Sequence, residues 1–461
     1  PPVRSPASRS GFDPRDFTSH PHNYSTCESR MSTVAILGAQ WGDEGKGKVV
    51  DRFAQQAEMV IRFQGGNNAG HTVINDRGAF ALHLIPTGIF NPSVDNILGP
   101  GTVINPPSLI EEMTELRSSA DLSFDRFWIA ERAHVVMPYH IALDAAEEAQ
   151  RGELAQGTTL RGIGPAYADK SARSGIRIGD LLDANHLQTW LPTVLEPKNR
   201  LLEHGYGVAP HDPQALIDQA LAWGERLAPH IVDTLPIVNK ALSNGLRILL
   251  EGQLGVMRDL DWGHYPYVTS SSPSAAGACS GAGIAPRSLD QVWGVAKAFT
   301  SSVGEGPFPT EIHGETADHL REVGGGEYGA ATGRPRRCGW FDAVAVRTAT
   351  CLSGIDRLAL TKIDCLDALN VIKVAVAYTI DGSRVELAPD TRRLEKAEPI
   401  YEEFPGWKAS TAGTTRLEDL PPNAQSYVKA ISEITGVSIG LLGTGQHRND
   451  AIVLEHPFST P

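Results

Sequence analysis

The chain has 461 residues, 41% of them hydrophobic and 21% charged, with a formal net charge of −13. That length allows an extensive buried core. The acidic balance excludes a general nucleic-acid-binding or anionic-membrane surface, because either needs a basic face. The five cysteines (Cys27, Cys279, Cys338, Cys351 and Cys365) show no CxxC spacing, so neither a disulfide framework nor a zinc site is expected, and a reducing cytoplasm fits.

Residues 1–30 are rich in Pro, Ser, Arg and His and contain no apolar stretch of the signal-peptide kind. They are expected to be a disordered extension ahead of Met31, a plausible start, with residues 31–461 forming one catalytic domain. No run approaches the roughly 20 apolar residues of a membrane span. From Met31 onward, Val34 to Leu37, Val60 to Phe63, Phe127 to Ala130, Ile248 to Leu250 and Leu358 to Leu360 read as buried strands. Helical patterns lie between them at Leu143 to Arg151, Ala215 to Leu227, Ala343 to Leu352 and Asn423 to Thr435. This alternation predicts an α/β fold, a single elaborated domain around a large, mostly parallel central sheet with helical and hairpin insertions. Val371 to Ile380, followed by Asp381-Gly382, reads as a hairpin near a sheet edge. Ligands are then expected at the carboxyl ends of the strands.

The loop after the first strand, Gly42-Asp43-Glu44-Gly45-Lys46-Gly47-Lys48, has the make-up of a phosphate-handling turn. Its glycines let backbone N–H groups close on phosphate oxygens, a helix N-terminus follows, and lysines add charge. It is not a Walker A loop, since Gly47 and not Ser or Thr follows Lys46. Asp43 is the replacement for the missing magnesium-binding hydroxyl and a candidate base. The plainer alternative is a Gly-rich turn with solvated charges.

After Phe63 come Gln64-Gly65-Gly66-Asn67-Asn68-Ala69-Gly70-His71-Thr72, and after Leu250 come Glu251-Gly252-Gln253-Leu254-Gly255, both expected to line one cleft. His71 can donate to a phosphoryl oxygen or move a proton. Asn68 suits a heterocycle edge, and the Gly70 carbonyl could reach magnesium. Thr361-Lys362-Ile363-Asp364 matches the [NT]KxD arrangement of guanine-nucleotide binders, in which a carboxylate accepts from both guanine N1–H and the exocyclic amine. The loop Gly329-Ala330-Ala331-Thr332-Gly333-Arg334-Pro335-Arg336-Arg337 gathers guanidinium forks suited to a carboxylate substrate. Gly157 to Pro165 offers hydroxyls and N–H groups to a second phosphate, with a structural glycine loop as the alternative.

Taken in order, QWGDEGKGK, QGGNNAGHT, HLIPTGI, RGIGPAYADK, YPYVTSS, VGEGPFPTE, GRPRRCGWFD, LTKIDCLD and EPIYEEFPGW closely resemble adenylosuccinate synthetase. The likeness covers nearly all of the chain beyond residue 30. It implies a homodimeric α/β ligase that joins IMP and L-aspartate with GTP and Mg2+, by way of 6-phosphoryl-IMP. By this resemblance Asp43 and His71 are the catalytic pair, and Asp43 and Gly70 hold the metal. GTP falls to Gly42, Asp43, Glu44, Gly45, Lys46, Gly47, Lys48, Gly70, His71, Thr72, Arg336, Lys362, Ile363, Asp364, Gly443, Thr444 and Gly445. IMP falls to Asp43, Lys46, Asn68, Ala69, Gly70, His71, Thr159, Leu254, Thr269 and Arg334, with Arg173 reaching the partner subunit's IMP. Aspartate falls to Ala330, Ala331, Thr332, Gly333, Arg334, Pro335 and Arg336.

The chain also departs from that pattern. Where the family reads EGAQG it has Glu251-Gly252-Gln253-Leu254-Gly255, which puts Leu254 in the place of an IMP-contacting glutamine and Gln253 one step away, on the other face if the backbone were a strand. Arg258 stands for an apolar residue, Ala331 for a threonine, and Gly443-Thr444-Gly445 lacks a serine; Trp262, His264, Pro273 and Ser274 are also unusual. Two alternatives follow: the same chemistry on a modified purine nucleotide, or a GTP-binding protein without ligase activity.

Overall fold

The structure, a computed structural model, describes residues 32–68, 70–324, 326–329 and 333–458. The expected N-terminal extension with Met31, and the candidate residues Ala69, Ala330, Ala331 and Thr332, lie outside the described residues.

A ten-stranded sheet organises the chain. From one edge its strands are Ala451–Val453, Ser438–Gly443, Arg357–Thr361, Gln291–Lys297, Thr33–Gly38, Ile248–Glu251, Met59–Arg62, Asp95–Leu98, Phe127–Ala130 and Ile231–Val232. Every neighbouring pair is parallel except the edge strand Ala451–Val453, which runs antiparallel to Ser438–Gly443. A parallel sheet is covered on both faces, so its strands read as unbroken apolar runs. The first strand illustrates this: Val34 and Ile36 pack with Val49, Phe53 and Trp293 on one face, while Ala35 and Leu37 pack with Ile61, Leu250 and Phe299 on the other.

All five strands read from the sequence are present, as are the four helices, now Pro138–Arg151, Pro213–Leu227, Ala343–Ser353 and Pro422–Thr435. The hairpin is also present, its turn made by Asp381 (φ 49°) and Gly382 (φ 75°), a left-handed pair that matches strand twist. It does not lie on the edge of the central sheet. Val371–Ile380 pairs with Phe341–Asp342, Ser383–Val385 and Glu398–Pro405 in a separate four-stranded sheet. Among the described residues no helix is long and apolar enough to cross a membrane.

The central position of Thr33–Gly38 puts its outgoing loop on the same edge as the loops that follow Ile248–Glu251, one strand away, and Met59–Arg62 and Arg357–Thr361, two strands away on either side. Those loops carry many of the sequence's candidate residues and meet around one cavity.

Candidate active site

The cavity has a volume of about 650 Å³ and is lined by Asp43, Lys46, Asn68, Gly70, His71, Thr72, Thr159, Leu254, Thr269, Arg334, Arg336, Lys362, Asp364 and Gly445, among others. Residues from sequence positions 43 to 445 thus converge, as the separate motifs require if they serve one reaction. Gly42, Glu44, Ile363, Gly443 and Thr444 stand behind the wall, and Gly333 and Pro335 are exposed outside it.

The phosphate-type loop runs through left-handed backbone at Gly42 (φ 106°), Asp43 (φ 58°) and Gly45 (φ 89°), then enters helix Lys46–Ala54. Glycine suits the first and last of these; Asp43 is held there by its surroundings. Glu44 is fully buried and braces the turn from inside, accepting from the Gln40 amide at 3.1 Å, the Gly42 amide at 2.8 Å and the Lys46 ammonium. Asp43 lines the cavity, its Oδ2 3.0 Å from Arg336 Nε. Lys48 donates to the carbonyls of Gly445 and Asp450, both at 2.6 Å, and so ties this loop to the C-terminal loop. Burial lowers its pKa to about 8.

His71 begins the short strand His71–Asn75 and its Nδ1 lies 2.7 Å from Glu251 Oε1. Glu251, wholly buried at the end of its strand, also accepts from the Thr87 amide at 2.8 Å and the Thr87 hydroxyl at 2.6 Å. Such a carboxylate takes the Nδ1 proton and leaves Nε2 as the free ring nitrogen. Nε2 has no hydrogen-bond partner among the described residues. Burial lowers the His71 pKa, and the Glu251 carboxylate raises it part of the way back. The sequence reading placed Glu251 in a cleft loop but did not pair it with His71.

A second buried carboxylate was missed altogether. Glu327 receives Lys297 at 2.7 Å, Arg336 at 2.9 Å and Lys362 at 2.6 Å. Burial alone would raise its pKa; the three cations outweigh that and hold it well below the carboxylate range. Glu327 therefore joins the [NT]KxD turn to the arginine loop, and Arg336 continues the chain of charges to Asp43. Lys362 itself sits in left-handed backbone (φ 61°) ahead of Asp364, whose pKa burial raises.

Gln253 and Leu254 do face opposite ways, although the strand has ended at Glu251 and the turn through Leu254 (φ 56°) does the separating. Leu254 lines the cavity. Gln253 is fully buried: its Oε1 accepts from Arg62, its Nε2 donates to Asn68 Oδ1 at 3.1 Å, and its carbonyl accepts from Gln64 at 2.7 Å. Arg258 fastens adjoining loops, donating to the Tyr267 and Val303 carbonyls and to the Ser302 hydroxyl. Arg173 is the one IMP candidate among the described residues outside the cavity wall; it is exposed, in left-handed backbone (φ 64°) at the end of helix Ile163–Ala172.

The family model for adenylosuccinate synthetase matches residues 35–452. The adenylosuccinate synthetase of Cyanothece sp. is 50% identical over 431 residues, 94% of this chain and 96% of that relative. That of Thermosynechococcus vestitus is 50% identical over 432 residues, again 94% of this chain and 96% of the relative. Among solved structures, the fully ligated adenylosuccinate synthetase from Plasmodium falciparum superposes with a TM-score of 0.86 at 36% identity, covering 91% of this chain and 99% of that one. The succinoaminodeoxyadenylate synthetase of cyanophage S-2L, bound to dGMP and dATP, matches with a TM-score of 0.57 at 21% identity over 92% and 95% of the two chains, a likeness of fold alone.

Parallel sheet, glycine-bearing loop and a charged cavity at the strand ends describe an α/β protein with a site suited to nucleotides, and the family match makes it a ligase that forms a C–N bond. The chain belongs to the adenylosuccinate synthetase family. Its reaction is the GTP-dependent ligation of L-aspartate to IMP, a step of purine nucleotide synthesis.

Proposed function

We propose that the cavity carries out this ligation in two steps divided among the residues described above. Asp43 removes the N1 proton of IMP, so that the C6 oxygen attacks the γ-phosphorus of GTP; GDP departs and 6-phosphoryl-IMP forms. The amino group of L-aspartate then attacks C6, and phosphate leaves with the former C6 oxygen. His71, aimed by Glu251, stabilises the charge on the transferring phosphoryl group from its Nε2. Lys46 and the loop amides take GTP phosphates, with Gly42, Gly45 and Gly47 giving the backbone its shape. Lys362 and Asp364 take the guanine. Asn68, Thr159, Thr269 and Arg334 take IMP, and Arg334 and Arg336 take the aspartate carboxylates. The single observation that carries this reading is the convergence on one cavity of Asp43, His71, Asp364 and Arg336, four residues whose chemistries the two steps need.

Mg2+ fits the same place. Among the described residues no three His, Cys, Asp or Glu side chains gather as a protein cage. Magnesium, however, is commonly held by one or two carboxylates plus substrate phosphates. Asp43, which lines the cavity together with Lys46 and Gly70, is such a carboxylate, and Asp43 with the Gly70 carbonyl would hold the ion. When bound it neutralises phosphate charge.

We further assign residues 31–461 to one catalytic unit acting as a homodimer, in which Arg173 completes the partner's IMP site. The exposure of Arg173, in the same region as exposed Ile141, Leu154, Leu160 and Leu182, supports this reading. Free thiols at Cys279, Cys338, Cys351 and Cys365 support a cytoplasmic site of action. Leu254, apolar where a base would be read, keeps one second reading: a modified purine nucleotide as acceptor, which a product profile over IMP and analogues separates. The two-step chemistry is tested with IMP carrying heavy oxygen at C6. The label is expected in inorganic phosphate, and Asp43→Ala is expected to abolish its transfer; label released to water, with unlabelled phosphate beside adenylosuccinate, would refute the phosphoryl intermediate.

A further inference from the structure

The loop 156–162 belongs to no helix or strand, yet Gln156, Gly157, Thr158 and Thr159 form part of the cavity wall. One face of helix Pro138–Arg151 holds it. Asp144 and Glu148 are four residues apart and so lie one above the other on that face. The Glu148 carboxylate accepts from three consecutive amides, those of Gln156 at 3.2 Å, Gly157, and Thr158 at 3.1 Å, and Arg151 Nη1 lies on its Oε2 at 3.2 Å. Asp144 Oδ2 accepts from the Gly162 amide at 2.9 Å. At that second foot the backbone is pressed on the helix: a Cβ at Gly162 would stand 2.8 Å from the Ile141 nitrogen. The loop is therefore an arch with each foot fixed to a carboxylate of the same helix.

Three successive N–H groups converging on one point form a nest, the backbone arrangement that ordinarily binds phosphate or another anion. Here the chain fills the nest with its own anion. Those amides are committed to Glu148, so the groups of the arch left for an incoming phosphate include the hydroxyls of Thr158 and Thr159, both residues of the cavity wall. The carboxylate is suited to that task, since hydrogen bonds to an ionised acceptor are about twice as strong as neutral ones. Burial works against its ionisation, and the three amides and Arg151 more than compensate.

We propose that Glu148, with Asp144, is a positioning residue for the acceptor nucleotide: an internal anion that sets the arch so that Thr158 and Thr159 meet the nucleotide phosphate. The inference rests on the reading that this loop takes the IMP phosphate. It predicts a selective defect, because the hydrogen bonds and ion pair of Glu148 and Asp144 run to the arch and to Arg151, not to the loop 42–48 or the turn 361–364.

The test is steady-state kinetics of the full chain and its Glu148→Ala and Glu148→Gln variants, varying IMP and GTP separately, with and without added sodium formate. For Glu148→Ala the KM for IMP is expected to rise about tenfold or more, the loss of one charge-assisted anchor, with the KM for GTP within about twofold of wild type. Glu148→Gln, whose amide oxygen still accepts but carries no charge, is expected to fall between. Formate, small enough to refill the nest, is expected to lower the IMP KM of Glu148→Ala while leaving wild type unmoved. An IMP KM within about twofold of wild type in both variants would overturn the proposal, as would IMP and GTP KM values that rise together without a formate response. Wild-type turnover in the same series separates this failure from failure of the underlying assignment, which would appear as no adenylosuccinate from wild type.

Discussion

The role proposed for His71 in phosphoryl transfer falls to Nε2, because Nδ1 is taken by the buried Glu251 carboxylate. Protonated His71 donates from Nε2. Burial, the larger influence, lowers its pKa from the usual 6.5, and Glu251 raises it. As pH falls below 6.5 the unfolded ring takes up a proton before the folded one, so this residue costs the fold stability toward acid. For activity the sign is opposite: the donating form is lost as pH rises through the folded pKa. Glu251→Gln keeps an acceptor but removes the charge, so the alkaline limb attributed to His71 is expected to move to lower pH and kcat to fall about tenfold or more. A limb that stays in place would show that Glu251 has no electrostatic role.

Leu254 and Gln253 invite a paired swap to restore the family order, but the structure argues against it. Removing the Gln253 side chain would strip the buried Arg62 of a partner, at a cost of about 2–3 kcal/mol. Leu254→Gln alone is expected to lower the KM for IMP; an unchanged or higher value would contradict the placement of Leu254 against the nucleotide. Asp43, Lys46, His71 and Asp364 were legible because each sits in a short motif that states its own chemistry. Glu251 and Glu327 were not, since each is defined by partners elsewhere in the chain: Glu251 lies 180 positions from His71. A lone glutamate carries no such signal.

Elements divided in the same way. The five apolar runs read as strands are strands, whereas Gln291–Lys297 and Ser438–Gly443, among others, were passed over. Both contain a glycine that weakens a strand pattern. In Ser438–Gly443 the glycine has a positive use. Register against Arg357–Thr361 steps from Ile439 to Leu441, so Gly440 is the extra residue of a bulge, and a Cβ there would come within 2.4 Å of Trp293 Cη2. Gly440→Ala should therefore destabilise the fold by about 1–3 kcal/mol through overpacking. Urea unfolding measures this, and an unshifted midpoint would mean the indole yields freely. The separate sheet around Val371–Ile380 was beyond a local reading, because period-two alternation fixes a hairpin but not the sheet it joins.

At the scale of the whole molecule, the loops at the carboxyl ends of a parallel sheet bring together residues that are far apart in sequence, and the alternation of strands and helices made that much legible. Assembly is a different matter, since the role proposed for Arg173, outside the cavity wall, needs a second copy of the chain. If Arg173 acts in trans, mixing inactive Arg173→Ala with inactive His71→Ala should restore activity, because mixed dimers contain one site with both residues intact. No recovery on mixing, with exchange of subunits verified, would place Arg173 outside catalysis.

The central claim is that one cavity joins IMP and aspartate at the expense of GTP. The most direct measurement is GDP release together with adenylosuccinate formation by the purified protein, with GTP and Mg2+ present and IMP and L-aspartate supplied together and each alone. Adenylosuccinate, and matching GDP, are expected only when both are present. GTP turnover indifferent to IMP and aspartate, with no adenylosuccinate formed, would contradict it.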